Sequence, residues 1–335
     1  MPERSLPLVT FYLTERCNSR CVTCDYWRHG KADATLESVL RVLPDLRRLG
    51  TRVALLSGGE PLMNPEWRAI ASQLRKAGLQ VWLLTAGLAL AKHAAAVAGL
   101  CDSVTVSLDG TNAATYLAIR GLDAFDKVCE GVRAVLARNV AVNLRVTLQR
   151  ANYRELPEFV RLARELGVAQ VSFLAVDVGN PHAFARDGAS QLPLALTHCD
   201  LPLFAELLDA LERDFAHEFH SGFIAESPTK LRRIHQYFAA LRGIDDFPAV
   251  RCNAPEFSAV IDARGRVAPC FFIPGTGIGT QEGLVAALQE EAMVRLRASI
   301  QAGARPECTR CVCSMWREPA GFEVGAPRPA QWSVA

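Results

Sequence analysis

Three cysteines, Cys17, Cys21 and Cys24, lie close together in the segment CNSRCVTC. Their C-x3-C-x2-C spacing comes directly after an apolar run, PLVTFYLT, that is typical of a β-strand. Clustered thiols in a chain without signs of secretion indicate metal ligands. A structural zinc site takes four ligands, with His29 as an available fourth, whereas a [4Fe–4S] cluster held by three cysteines keeps one iron open for another ligand.

Two further motifs follow predicted strands and carry polar groups. SGGEPLMNP follows the second predicted strand, and SLDG follows the fourth. Gly58 and Gly59 allow the backbone to approach a ligand closely, and Glu60 offers a carboxylate to an ammonium group. Ser107 and Asp109 offer a hydroxyl and a carboxylate for an amine or a ribose. We expect these motifs to meet the cysteines in one cleft, because parallel strands end at the same edge of a sheet.

Together, these three motifs resemble the radical S-adenosylmethionine (SAM) superfamily over about residues 7–176. The resemblance implies that the amino and carboxylate groups of SAM chelate the open iron. It also implies reductive cleavage of SAM to a 5′-deoxyadenosyl radical. The implied cofactor-binding segment comprises Gly58, Gly59, Glu60 and Pro61.

Other residues are expected to contact SAM on the same resemblance. The residue before the third cysteine is usually aromatic in this family and packs near adenine, but here it is Thr23, so Tyr26 or Trp27 would take over that contact. Arg120 lies where relatives often keep an arginine and either contacts the cofactor carboxylate or caps a helix. Arg145, on the fifth predicted strand, needs a partner such as a carboxylate if it faces inward, which makes it a candidate ligand for cofactor or substrate.

Five more cysteines lie near the C-terminus. Cys252 and Cys270 form a C-x12-G-x4-C unit around a predicted hairpin, and a later C-x2-C pair completes a set of four thiolates for zinc or an iron–sulfur cluster. The region resembles the SPASM/twitch extension of radical SAM enzymes, and the small number of cysteines favours the twitch form with one auxiliary [4Fe–4S] cluster. The expected ligands are Cys252, Cys270, Cys308 and Cys311, with Cys313 as a bystander or the true fourth ligand.

The elements that must position these residues alternate between strand and helix. Six short apolar runs, each followed by a crossover, predict parallel strands and right-handed βαβ units. The predicted fold class is α/β, a partial (β/α)6 barrel with a small cysteine-rich C-terminal twitch domain. The expected division is a barrel at 1–176, a connecting helical segment at 177–250, a twitch domain at 251–318 and a tail at 319–335.

The loop after the sixth predicted strand is the place to look for catalytic side chains. Asp177 and His182 follow that strand at the same edge as the other motifs. They are candidates to act on the substrate, although the loop-like sequence favours a solvated loop. The segment 177–250 is where we expect specificity for the substrate to reside.

Composition narrows the class of protein. The 335 residues carry a formal net charge of +2, with no block of like charge, so a nucleic-acid partner is not expected. No membrane span or signal peptide is apparent, and a cytoplasmic location is expected. An electron donor such as flavodoxin or ferredoxin would supply the reductant.

The expected function is that of a radical SAM oxidoreductase with two [4Fe–4S] clusters that abstracts hydrogen from a small molecule. A sugar, an aminocyclitol or a nucleoside-like compound is favoured, because the sequence begins almost at the first strand and no leader-peptide-binding domain precedes it. A maturase that modifies ribosomal peptides is the first alternative. A non-catalytic iron–sulfur or zinc-binding protein is the alternative of another class.

Overall fold

The strands form one eight-stranded sheet in the order β6-β5-β4-β3-β2-β1-β7-β8. The computed structural model describes residues 5–186 and 191–317, so the predicted tail at 319–335 lies outside the described residues. The strand bounds are β1 Leu8–Thr14, β2 Val53–Gly58, β3 Gln80–Thr85, β4 Ser103–Ser107, β5 Ala141–Leu148, β6 Gln170–Ala175, β7 Ser258–Ile261 and β8 Val267–Ala268.

The first six strands are the six that the sequence predicts. Each pairs in parallel with the next along the chain, and helical segments make the crossovers. The sheet is open, with β6 at one edge and β8 at the other. The expected α/β fold with a partial barrel is confirmed, and the carboxyl ends of β1 to β6 share one edge.

Helices cover the outside of this sheet. Their bounds are α1 Tyr26–His29, α2 Leu36–Arg48, α3 Trp67–Lys76, α4 Leu90–Leu100, α5 Ala113–Arg120, α6 Phe125–Leu136, α7 Leu156–Leu166, α8 Leu201–Asp214, α9 Ala216–His220, α10 Pro228–Leu241, α11 Ala254–Phe257, α12 Leu284–Gln289, α13 Glu291–Gln301 and α14 Pro306–Thr309. Among the described residues, no helix is both long and apolar enough to cross a membrane.

One helix near the site was not foreseen. The α5 helix begins at the cap Asn112, whose side chain accepts a hydrogen bond from the Thr115 amide, and it ends at Gly121 with φ of 72°. Asn before a helix and Gly after it are the expected start and stop signals. The span between them is only eight residues, too short for a clear apolar period, which is why the pattern alone did not reveal it.

The C-terminal hairpin is present as predicted, and it also extends the barrel. β7 and β8 pair antiparallel, and Gly265 lies in the turn with φ of 77°. β7 also pairs in parallel with β1, with Leu8 opposite Ser258. The cysteine-bearing hairpin therefore continues the same sheet at the edge next to the first cysteine segment.

Candidate functional site

The segment with the first three cysteines is held on one side by the end of β2. The Gly59 amide donates to the Thr14 carbonyl at 2.8 Å, and the Glu60 amide donates to the Arg16 carbonyl at 2.8 Å. A Cβ atom on Gly59 would lie 2.1 Å from the Arg16 carbonyl oxygen. Gly58 has φ of 114°, a conformation that favours glycine. The two glycines thus allow β2 to approach the cysteine segment, besides any contact they make with a ligand.

The other side of that segment is held by the end of α5. The Arg20 amide donates to the Arg120 carbonyl and the Val22 amide to the Ile119 carbonyl, both at 3.0 Å. A Cβ atom on Gly121 would meet the Arg20 carbonyl oxygen at 2.4 Å. The cysteines are therefore placed by main-chain contacts with two elements of the barrel.

The thiols themselves are partly buried. The Ser19 amide donates to the Cys17 sulfur at 3.4 Å, a contact that suits a thiolate ligand. Burial raises the pKa of Cys17 to about 11 and that of Cys24 to about 12. These thiols therefore release their protons when they bind a metal group. Within the described ranges, no group of three or more His, Cys, Asp or Glu side chains is arranged to hold a single metal ion.

Glu60 is fully buried and is engaged within the protein. Its carboxylate accepts hydrogen bonds from the Thr85 hydroxyl at 2.8 Å, the Ala86 amide at 2.8 Å and the Leu62 amide at 3.1 Å. Burial raises the pKa of this carboxyl, and the hydrogen bonds oppose that rise. Glu60 thus braces the ends of β2 and β3. The expectation that it binds an ammonium group stays a prediction, as does the cofactor role of the buried Pro61 next to it.

Asp109 and Arg120 form a buried ion pair behind the cysteine segment. Arg120 Nη2 lies 2.8 Å from Asp109 Oδ2, with side-chain exposures of 10% and 3%. Arg120 Nη1 also lies 3.6 Å from the Cys21 sulfur. Burial by itself lowers the pKa of Arg120, but the Asp109 and Cys21 charges raise it above its ordinary value. The arginine therefore stays charged beside Cys21, and the contact of either residue with SAM remains a prediction.

A cavity of about 450 Å³ lies between the carboxyl ends of the strands and the C-terminal hairpin. It brings together nine of the residues that the sequence singled out on separate segments. Those that line it are Cys24, Tyr26, Gly58, Ser107, Arg145, Asp177, His182, Cys270 and Cys313. The expectation that the motifs converge on one cleft is met for these residues.

Tyr26 occupies the place expected for an aromatic residue near the third cysteine. Its ring packs edge-on against Tyr12 at 6.2 Å between centroids, and both rings line the cavity. Trp27 is instead covered by the guanidinium of Arg28, 4.6 Å from the ring centroid, and does not line the cavity. Of the two aromatic residues considered, the geometry therefore favours Tyr26.

Asp177 is held rigidly at the cavity wall. Its Oδ1 accepts hydrogen bonds from the Gly179 and Asn180 amides and lies 3.4 Å from Arg186 Nη1. Arg186 also donates to the Thr23 carbonyl at 3.3 Å, so it ties the loop after β6 to the cysteine segment. Sequence reasoning missed Arg186, because nothing in a loop-like stretch indicates which distant carbonyl an arginine reaches.

The hairpin and the loop after β6 contribute further wall residues that the sequence did not single out. Asp262 and Arg266 form an ion pair at 2.6 Å at the hairpin turn. Phe184 packs edge-on against Phe272 at 5.7 Å and has φ of 61°. The alternation of polar and apolar residues in the hairpin could have indicated Asp262 and Arg266. It does not show which face of the hairpin meets the barrel.

The five C-terminal cysteines come together from three segments of the chain. Cys252, Cys270, Cys308, Cys311 and Cys313 all border a small cavity of about 30 Å³. The Cys313 amide donates to the Cys311 sulfur at 3.4 Å, as the Ser19 amide does to Cys17 in the first group. Burial raises the pKa of Cys270 to about 12 and that of Cys308 to about 11. Thiols are the donors that an iron–sulfur cluster takes, so the donor set fits such a cluster chemically. The presence of the cluster, and the choice between Cys311 and Cys313 as its ligand, stay predictions.

Comparison with known proteins agrees with this geometry. The Radical SAM superfamily model matches residues 11–163. The AdoMet-dependent heme synthase of Methanosarcina barkeri is 31% identical over 180 residues, which cover 51% of this chain and 51% of that protein. The probable GTP 3′,8-cyclase of Saccharolobus solfataricus is 31% identical over 178 residues, 51% of this chain and 57% of that protein. The matched part thus spans about half the length of these relatives.

Solved structures match nearly the whole chain at low identity. Streptococcus suis SuiB bound to S-adenosylmethionine has a TM-score of 0.66 at 12% identity, covering 93% of this chain and 73% of that chain. The structure of anSMEcpe with bound AdoMet and the Cp18Cys peptide has a TM-score of 0.64 at 18% identity, covering 92% and 89%. Residues 11–163 are therefore a radical SAM domain, in a chain whose fold is that of radical SAM enzymes with C-terminal extensions.

Proposed function

We propose that this chain is a two-cluster radical SAM enzyme that oxidises a small molecule. The observation that carries the proposal is the 450 Å³ cavity, which has Cys24 on one wall and both Cys270 and Cys313 on another. A substrate in this cavity would lie between the two cysteine groups. It would thus be close both to the site of radical formation and to a second group able to accept an electron.

The chain's own residues suit this arrangement. Cys17, Cys21 and Cys24 would hold a [4Fe–4S] cluster, and Cys252, Cys270 and Cys308 with Cys311 or Cys313 would hold the auxiliary one. When bound, the first cluster and SAM supply a 5′-deoxyadenosyl radical that abstracts hydrogen.

The wall residues supply binding groups for the cofactor. Gly58 exposes main chain to the cavity, and Ser107 offers a donor for a carboxylate, whereas Arg145 shares the cavity wall with Cys313. Tyr26 offers a ring face for adenine. Glu60 and Asp109 would support the site from behind through Thr85 and Arg120, since neither lines the cavity.

Asp177 and His182 are the proposed groups that act on substrate. Both line the cavity on the loop after β6. Asp177 is oriented by two main-chain amides and by Arg186, so its carboxylate is positioned to accept a proton from a substrate hydroxyl. We propose an alcohol or C–H carbon as the site of oxidation.

Two observations bear on the substrate class. The curated relatives are named for a heme and for a cyclised GTP, which favours a small molecule, sugar-like or nucleoside-like, for this chain. Peptide modification is the second candidate, because SuiB, which shares the fold, has also been solved with its precursor peptide. Flavodoxin or ferredoxin would serve as electron donor, and we propose that the protein works in the cytoplasm.

The test is anaerobic reconstitution of the wild type and of a Cys17/Cys21/Cys24→Ala variant. We expect about eight irons per chain in the wild type and about four in the variant. With SAM and a strong reductant, 5′-deoxyadenosine should form only in the wild type. Cys199→Ala, which changes an exposed cysteine, is the control and should match the wild type. Formation of 5′-deoxyadenosine by the triple variant would overturn the proposal.

Deuterated candidate substrates then separate the two substrate classes. Transfer of deuterium into 5′-deoxyadenosine from a sugar-like or nucleoside-like compound supports the small-molecule proposal. Transfer from a peptide alone would replace it with the second candidate.

A further inference from the structure

Two half-buried cationic side chains lie between the barrel and the C-terminal cysteines. Arg145 lies on β5 and Lys230 in the first turn of α10. Within the described part of the chain, Arg145 Nε and Lys230 Nζ are buried without a hydrogen-bond partner. A buried charged group that lacks a partner is costly, so a compensating acceptor is expected nearby.

Each of the two cations shares a cavity with one thiol of the C-terminal cysteine group. Arg145 borders the 450 Å³ cavity together with Cys313. Lys230 borders a separate cavity of about 40 Å³ together with Cys311. Cys311 and Cys313 are only two residues apart in the chain. Both cations therefore act on the same end of the C-terminal cysteine group.

Acidic side chains nearby do not balance the two cations. Glu226 is 4% exposed, and its carboxylate accepts the Phe173 amide at 2.7 Å. Asp177, which lines the same cavity as Arg145 and Cys313, is already paired with Arg186. Two cations thus share one buried carboxylate, which leaves an excess of positive charge beside the thiols.

A metal group bound by four thiolates supplies the missing negative charge. Its net charge is negative, and an iron–sulfur cluster becomes more negative when it is reduced. A fixed cation stabilises the more negative state more strongly, because the Coulomb energy grows with charge. Reduction potentials of iron–sulfur clusters depend on charge and hydrogen bonding around the sulfurs in this way.

We propose that Arg145 and Lys230 are the charge partners of the auxiliary cluster on the C-terminal cysteines, and that they raise its reduction potential. The proposal rests on the function proposed above, and it assigns these two residues a positioning and tuning role. A higher potential would make the auxiliary cluster a better acceptor for the electron that a substrate radical gives up when it is oxidised to product.

The test measures the midpoint potential of the auxiliary cluster by a redox titration followed by electron paramagnetic resonance. The Cys17/Cys21/Cys24→Ala background removes the signal of the first cluster. In that background, Lys230→Met keeps the length of the side chain and removes its charge. We expect the reduction equilibrium to become about tenfold less favourable, which is ~59 mV for a one-electron couple.

Two further variants control for packing and for charge in general. Lys230→Arg keeps the charge and should restore the potential. Arg232→Gln removes a cation from the exposed face of the same helix, where it pairs with Asp209 and Glu212, and should leave the potential unchanged.

The outcomes separate this proposal from the one on which it rests. An unchanged potential in Lys230→Met with about four irons retained overturns the tuning role and leaves the two-cluster function intact. If Lys230→Met loses iron and Lys230→Arg keeps it, the charge of Lys230 is needed and the proposal is supported. If both variants lose iron, Lys230 is needed for packing and the proposed charge role is overturned. An absence of iron from the triple-variant background itself overturns the auxiliary cluster and this proposal with it.

Discussion

The two cysteine groups of this protein are built in different ways. Cys17, Cys21 and Cys24 lie on one short segment that main-chain hydrogen bonds hold against β2 and α5. The five C-terminal cysteines come from separate segments that meet only after the hairpin has joined β1 and the chain has returned past α13. The first group is thus a local structure on a rigid scaffold, while the second depends on long-range closure of the chain.

This difference matches what the comparisons cover. The family model ends at residue 163, and the curated relatives align over about half of this chain. The C-terminal region is matched by fold alone, at 12% to 18% identity. The first cysteine group thus lies in the part of the chain that the family model matches, and the second lies in the part that is matched by fold alone.

The largest effect should come from breaking the second group alone. Cys270 borders both the large cavity at the strand ends and the small cavity among the C-terminal cysteines. In Cys270→Ala we expect about half the iron to be lost, from about eight to about four per chain. Formation of 5′-deoxyadenosine should persist, because the first group is held by other elements. Iron and sulfide analysis with a product assay measures both. Loss of nearly all iron would show that the two groups do not assemble independently.

The next effect concerns the ion pair behind the first group. Arg120→Gln leaves Asp109 buried without its partner, and we expect the free energy of unfolding to fall by about 3–5 kcal/mol. Urea unfolding followed by circular dichroism measures the change. The double variant Arg120→Gln/Asp109→Asn should recover part of the loss, since no unpaired charge remains. A double variant no more stable than the single one would contradict the role of charge.

A smaller effect is expected at the contact between β2 and the first cysteine segment. Gly59→Ala places a methyl group against the Arg16 carbonyl, and overpacking of this kind costs about 1–3 kcal/mol in unfolding free energy. Gly99→Ala is the matched control, because no atom lies within 4 Å of its Cβ position and it lies in α4. The control should be neutral or slightly stabilising, since alanine favours helix over glycine. Equal destabilisation by Gly59→Ala and Gly99→Ala would contradict the assignment of the effect to packing against Arg16.

The smallest effect is expected at the surface link between the two regions. Arg264 in the hairpin turn donates to both carboxylate oxygens of Glu15, at 2.8 and 2.9 Å. The Arg264 hydrogen bond lowers the pKa of Glu15. The stability that the link between Glu15 and Arg264 contributes is therefore fully present above the unfolded-state pKa of Glu15, about 4.3. It is lost as the pH falls through the lower pKa that Glu15 has in the folded protein.

Glu15→Gln tests this link. The variant should unfold at a lower temperature than the wild type at pH 7, and the difference should shrink under acid conditions. Thermal unfolding across a pH series measures it. A difference that stays constant down to pH 3 would contradict the assignment to Glu15.

Much of the barrel could be predicted because its information is local. The six strands show as apolar runs along the chain. The first cysteine group and the motifs at strand ends follow from the same logic, since parallel strands bring their carboxyl ends to one edge. Asp177 and His182 lie at the cavity for this reason too.

What the sequence by itself determined is therefore the α/β alternation, the order of the motifs and the clustering of the cysteines into two groups. Only the tertiary structure decided that Glu60 and Asp109 turn into the protein, that Tyr26 rather than Trp27 faces the cavity, and that β7 joins β1. The physical reason is the separation along the chain of the residues that interact. Spacing along the chain encodes local hydrogen bonds and periodicity, whereas burial, ion pairing and cavity walls depend on which distant segments pack together.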